Sequence, residues 1–286
     1  MNQKRIAARK WLRLLPVCLV FWLCGCAAYA PSRAGEKIYR DVAFASPGGH
    51  VLRMDLYVPQ TATPAPVVLW IFGGSWKFGS KGFHVNLRNL TRSGLAVASI
   101  EYRLSGVAKF PAQLEDCKSA VAWLRTHGKE YGIDPQRIGV SGESAGGHLA
   151  ALLGTEEKAP KIRAVCALYP PTNLVSLGQK YAASSRPSDI ERLLGGPIEE
   201  KQALAKEASP VFHVTDSSPP FLMIHGSKDK LVPLSQSVEL EKKLHHAGVD
   251  ARIIVVPGQG HWFQLDKNQL SEVARFFRKH FGMSEL

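Results

Sequence analysis

A glycine-flanked serine, an aspartate and a histidine occur along this chain in an order that suits nucleophilic catalysis. Gly142-Glu143-Ser144-Ala145-Gly146 follows the apolar run 138–140 and opens a stretch of helical character. A strand-to-helix turn of that sharpness crowds the backbone around the serine, and side chains at the glycine positions would clash. The helix start then lies beneath Ser144 and favours the negative charge that grows during attack. A serine hydroxyl is a weak nucleophile and needs a base, itself oriented by an acid. Asp229 comes shortly after the apolar run 221–224, and His261 shortly after the run 253–256. Both positions are loops leaving strand carboxyl ends, where open α/β sheets build their sites. Taken alone, Asp229 reads equally as a turn aspartate and His261 as a loop histidine. The order of all three selects nucleophile, acid and base.

Acyl transfer also needs donors for a tetrahedral oxyanion. The backbone N–H of Ala145 is one candidate. The loop after the run 67–72 supplies the others at Gly73, Gly74 and Ser75, and continues Trp76-Lys77-Phe78-Gly79-Ser80-Lys81. A phosphate-loop reading of Gly74 to Lys81 fails, because there the lysine must directly follow the second glycine. Trp76, Phe78, Glu143, Trp262 and Phe263, with Phe110, are candidates for an acyl or aryl pocket, though aromatics serve as often in plain core. Arg103 and Asp116 read as a buried polar pair. His245-His246 reads as solvated, and no metal-ligand spacing surrounds it.

These positions need a scaffold. The runs 67–72, 95–100, 138–140, 164–169, 221–224 and 253–256 are continuous apolar segments, the mark of strands buried on both faces of a parallel sheet. Residues 51–58 alternate instead and suit an antiparallel edge. Leu114, Cys117, Val121 and Leu124 form one helical stripe, Leu270, Val273, Phe277 and Phe281 another, and a helix after Pro233 stops at Gly248. The expected fold is α/β, a three-layer sandwich with a mostly parallel central sheet. Residues 170–220 break the rhythm with one short helical piece near 190–194 and read as a small cap insertion.

The chain has 286 residues, 45% apolar and 21% charged, which excludes disordered, collagen-like and multi-span membrane classes. Its net charge of +12 includes five basic residues at positions 4–13. The rest of the excess is scattered, with no nucleic-acid motif, so no nucleic-acid partner is expected. Residues 14–30 carry no charge, and 14–23 have the length of a signal-peptide core. Cleavage after Ala30 fits Ala28-Tyr29-Ala30. Leu23-Cys24-Gly25-Cys26 resembles a bacterial lipobox and is the preferred reading, with an uncleaved anchor as a third. The expected layout is a signal peptide over 1–26, a tether over 27–37 and one domain over 38–286. Lipidation at Cys26 would place it on the bacterial cell envelope, facing periplasm or exterior. Cleavage at Ala30 would make it periplasmic or secreted. Beyond the leader remain Cys117 and Cys166, read as small core hydrophobes.

The chain resembles α/β-hydrolases of the hormone-sensitive-lipase-like group, nearest to acetyl esterases and the feruloyl/acetylxylan esterase-like branch. The resemblance rests on Phe72 to Trp76 with Gly79-Ser80-Lys81, Tyr102-Arg103-Leu104, Phe110-Pro111, Trp123-Leu124, and Tyr131 to Ile138. The serine turn, Ala208-Ser209-Pro210 and the Asp229 and His261 loops complete it. It implies an α/β-hydrolase sandwich that hydrolyses short-acyl or aryl esters through an acyl-enzyme, without cofactor. Acetyl or feruloyl groups on saccharides are candidate substrates. Phe72 and Ser75 depart from the His-Gly-Gly-Gly pattern of the group, and Glu143 replaces its more usual aspartate. With the catalytic histidine supplied at 261, His148 and His225 read as structural. A formamidase-like amide hydrolase and an inactive surface-binding relative are the competing functions. No residue pattern specifies an oligomeric state.

Overall fold

The computed structural model describes residues 33–82, 86–157, 160–181 and 188–284. Cys26, Ala30 and the rest of the leader lie outside the described residues. The strands are β1 (Glu36–Ala45), β2 (Leu52–Pro59), β3 (Ala65–Ile71), β4 (Ala96–Ile100), β5 (Ile133–Glu143), β6 (Val165–Leu168), β7 (Phe221–Gly226) and β8 (Ala251–Val256). They form one sheet in the order β1-β2-β4-β3-β5-β6-β7-β8. β2 is antiparallel to both its neighbours, and every pairing from β4 to β8 is parallel. The helices are α1 (Ala112–His127), α2 (Ala145–Thr155), α3 (Leu174–Tyr181), α4 (Asp189–Leu194), α5 (Gln202–Glu207), α6 (Ser235–His246) and α7 (Lys267–His280). Among the described residues no helix is long and apolar enough to cross a membrane.

The continuous apolar runs do bury both faces. In β3, Val67, Leu69 and Ile71 join a core with Leu114 and Val121 of α1, Leu149 and Leu152 of α2, and Leu240 of α6. Val68 and Trp70 point the other way, into a second core with Leu87, Leu90, Val273 and Phe277. The period-two alternation of the strand thus divides one run between two helical layers. Cys117 and Cys166 are free, buried and on opposite sides of the sheet.

Strand β1 starts at Glu36, inside the stretch expected as a tether: Glu36 pairs with Pro59 in the sheet and its carboxylate takes the Arg88 guanidinium at 2.6 Å. Among the described residues the insertion between β6 and β7 holds three short α-helices instead of one, two of them with a capping side chain. Asn173 Oδ1 accepts the Ser176 N–H at the head of α3, and Ser188 with Glu191 closes a capping box on α4.

Arg103 and Asp116 pair as expected, at 2.7 Å, with a further bond from the Arg103 backbone N–H to Asp116 Oδ2 at 2.8 Å. Gln113 Nε2 donates to the Arg103 and Ala108 carbonyls. This pins the loop after β4 to α1, and Ser105 N–H from that loop donates to the Trp76 carbonyl at 2.7 Å. Removing one partner of a buried pair leaves the other charge uncompensated. Asp116→Ala is therefore expected to cost about 3 kcal/mol in urea unfolding, the low end of the usual range because Arg103 keeps some solvent contact.

Candidate active site

The turn after β5 brings the helix start within touching distance of β3. A Cβ at Gly146 would fall on the carbonyl oxygens of Ile71 and Phe72, and one at Gly142 on the Gly146 carbonyl. Only hydrogen fits there, so α2 crosses the end of β3 at backbone contact. Ser144, at the apex, has φ 51° and ψ −119°. Its N–H donates to Leu168 O at 2.9 Å, and its carbonyl accepts the His148 N–H at 2.8 Å. A non-glycine residue in the left-handed region costs about 1–3 kcal/mol and persists only where its surroundings over-determine it.

Ser144, Asp229 and His261 meet beyond the carboxyl ends of β5, β7 and β8. Ser144 Oγ donates to His261 Nε2 at 2.8 Å, and His261 Nδ1–H donates to Asp229 Oδ2 at 2.6 Å. An ionised carboxylate only accepts, so Asp229 fixes the ring proton on Nδ1 and leaves Nε2 as the acceptor for the serine. Asp229 is itself fully engaged. Its Oδ1 accepts the N–H groups of Leu231 and Val232, and Oδ2 faces His225 Nε2 at 3.3 Å. Burial alone would raise this carboxyl. The hydrogen bonds from His225 and His261, electrostatic attraction to His261 and the Val232 N–H outweigh it and hold the group well below the usual carboxylate range.

The segment Gly73 to Gly79 runs beside the serine. Gly73 packs so closely on the turn that a Cβ would lie 2.8 Å from the Glu143 carbonyl. Gly74 has φ 115°, a conformation that favours glycine, and its carbonyl accepts the N–H groups of Lys77 and Phe78. Ser75 and Trp76 follow with φ 52° and 57°. Ala145 heads α2 on the other side of Ser144. The four expected donor positions, Gly73, Gly74, Ser75 and Ala145, thus border the serine.

Two clefts open at Ser144. One, of about 230 Å³, is lined by Phe78, Glu143, Tyr169, Trp262, Phe263 and Gln264. The other, of about 290 Å³, lies against the insertion, with Leu177, Tyr181 and Ile190 facing Leu231 and Val232. Phe78, Trp262 and Phe263 stand at the cleft as expected, Trp262 being 62% exposed. Glu143 is buried, and its Oε2 accepts the Tyr169 hydroxyl at 2.9 Å. Trp76 is only 3% exposed. Its ring borders the second cleft, but its indole N–H is spent on His148 Nδ1 at 3.1 Å. Phe110 joins the core. His148 and His225 are buried, and His245 and His246 are exposed. Among the described residues no group of three or more His, Cys, Asp or Glu is arranged to hold a metal ion.

Sequence reasoning missed Tyr169 and the insertion's share of the second cleft. Tyr169 directly follows β6 and has φ 38°, with its ring 4.8 Å from that of His261. Its place at a strand's carboxyl end was the available signal. Leu177, Tyr181 and Ile190 belong to short helices whose composition does not distinguish cleft from core.

A family model described as BD-FAE matches residues 54–244, more than half of the chain. Esterase LipC of Mycobacterium tuberculosis is 32% identical over 217 residues, covering 71% of this chain and 54% of that protein. Ethyl acetate hydrolase of Pseudomonas putida is 31% identical over 250 residues, covering 78% and 74%. The chain spans about half the length of the mycobacterial relatives it matches. Among solved structures, a truncated carbohydrate esterase from gut microbiota superposes with a TM-score of 0.80 at 28% identity, over 88% of this chain and 99% of that one. An acetyl ester-xyloside bifunctional hydrolase from Caldicellulosiruptor lactoaceticus gives 0.71 at 25% identity, over 82% and 90%.

Three substitutions test this geometry. Gly146→Ala is expected to lose about 3 kcal/mol or more of unfolding free energy, whereas Gly106→Ala, which meets open space, stays within about 0.5 kcal/mol. The lowered Asp229 carboxyl stabilises the fold above its unfolded value near 4, and that contribution fades as pH falls through the folded value. Acid titration of Asp229→Asn should therefore show a shallower loss of stability below about pH 5 than the wild type.

Proposed function

The chain belongs to the BD-FAE family of α/β-hydrolases, and from there we propose that it is a serine carboxylesterase for short-acyl or aryl esters, acetyl or feruloyl esters of saccharides among them. The observation that carries this reading is the continuous relay from Ser144 Oγ through His261 to Asp229, at 2.8 and 2.6 Å. His261 Nε2 takes the serine proton as Oγ attacks the ester carbonyl, and Asp229 stabilises the imidazolium that results. The oxyanion is met by backbone N–H groups of Ala145 and of the Gly73–Gly74–Ser75 segment, where side-chain identity matters little because the donors are main-chain. His261 then returns its proton to the leaving alcohol. Water, deprotonated by the same histidine, releases the acid from Ser144.

Support for the substrate class comes from the clefts. The two clefts, of about 230 and 290 Å³, lie at or below the low end of the volumes usual for small-molecule sites. The rim formed by Phe78, Trp262 and Phe263 offers flat faces that suit an aryl group or the apolar face of a sugar ring. Relatives named for ethyl acetate and for carbohydrate esters point to the same chemistry. We further propose that Cys26 is lipidated and carries the domain on the envelope.

Hydrolysis of p-nitrophenyl esters from acetate to palmitate tests the reading. Activity should peak at two to four acyl carbons, and Ser144→Ala should lose about 10⁴-fold or more in kcat. Asp229→Asn, with the wrong histidine tautomer, should fall by about 10⁴-fold while the protein stays folded. Wild type inert toward every chain length, or a fully active Ser144→Ala, would overturn the esterase. For the anchor, labelled palmitate should enter the wild-type chain in cells and be absent from Cys26→Ser; equal labelling sinks it.

A further inference from the structure

Resting on the esterase reading, we propose that His148 is a positioning residue that holds the oxyanion loop in register with the nucleophile through Trp76. The loop carries two successive non-glycine residues in the left-handed region, Ser75 and Trp76. A tryptophan at positive φ returns to extended backbone unless something restrains it. Two hydrogen bonds do so. The Trp76 carbonyl accepts the Ser105 N–H at 2.7 Å, and the indole N–H donates to His148 Nδ1 at 3.1 Å, with the two rings edge-on at 5.2 Å.

His148 is itself fixed at its far side. Its Nε2–H donates to the Ala208 carbonyl at 2.6 Å, and the ring has no solvent exposure. Since a carbonyl only accepts and an indole N–H only donates, the two neighbours select a single neutral tautomer with the proton on Nε2. Burial pushes the ring down to about 4, against the partial support of the Ala208 carbonyl, so this tautomer persists at neutral pH. His148 also sits one helical turn after Ser144, whose carbonyl accepts its N–H. Two sets of donors must close on one oxyanion: Ala145 at the head of α2, and the Gly73–Ser75 segment. The His148–Trp76 bond is the side-chain link between the two elements that carry them. His148 does not border either cleft at the serine, so its effect on the reaction passes through Trp76.

Kinetics on p-nitrophenyl acetate with the full chain separate this role from simple core filling. His148→Leu removes both hydrogen bonds and is expected to lower kcat about 10²-fold with KM within about twofold, the pattern of a lost transition-state contact. His148→Gln, which can accept from Trp76 and donate to Ala208, should restore most of that loss. Trp76→Phe should match His148→Leu, and the double variant should be no slower than either single one. A folded His148→Leu or Trp76→Phe with kcat within threefold of wild type overturns the proposal, as does a double variant whose losses multiply. If His148→Leu does not fold, Trp76→Phe and His148→Gln decide alone, with thermal melting as the control for folding. A wild type without Ser144-dependent turnover defeats the esterase reading and this proposal with it, whereas an active wild type with indifferent variants defeats the proposal only.

Discussion

The contact on which the site depends is steric: the head of α2 lies on the last residues of β3 with no side chain between them. Where Gly146 meets the carbonyls of Ile71 and Phe72, two backbones approach as closely as they can. β3 ends at that contact and the Gly73 to Gly79 segment begins, while α2 begins at Ala145. One close approach therefore fixes both the serine and the chain that runs beside it. The positive φ values at Ser144, Ser75 and Trp76 cluster around it. Strain concentrated in this way is held by the two cores on either side of the sheet together with the hydrogen bonds made at Ser144 and Trp76.

The polar groups around the contact follow a second rule: Asp229 and the rings of His148, His225 and His261 each have partners that fix their protonation. Asp229 accepts from two backbone N–H groups and faces two histidines. His225 is held between Val232 O and Ser237 Oγ. His148 stands between Ala208 O and Trp76. Low dielectric makes an unpaired group costly, so full pairing is the condition on which such a network can be buried at all. The insertion enters this network through Ala208, and also through Lys77, whose ammonium meets Asp189 of α4 at 2.6 Å. It is thereby braced against the same segment that flanks the serine.

Much of this was legible in the chain itself. Continuous apolar runs marked the parallel strands because a strand covered on both sides has no polar face to reveal its period. Gly142, Ser144 and Gly146 were legible because a backbone contact tolerates no substitute, and Asp229 and His261 because each closely follows such a run. Less legible were α3 and α5, helices too short for a periodic stripe to emerge. Trp76 was expected at the pocket, since its spacing places it there, but a side chain's direction depends on a backbone φ that sequence does not display. His148 looked like an ordinary core histidine for a related reason: its partners, Trp76 and Ala208, are 72 and 60 residues away.

The direction of β1 fixes at which end of the sheet Glu36 lies. β1 is antiparallel to β2 and β2 to β4, so β1 runs with the parallel strands and Glu36 lies at their amino ends, on the outermost strand. Ser144 lies past the carboxyl end of β5, deep in the sheet. Glu36 and Ser144 thus lie at opposite ends of the sheet, one on an edge strand and the other after a central one. The clefts at Ser144 accordingly open at the end of the sheet away from Glu36, with the length of the strands between them.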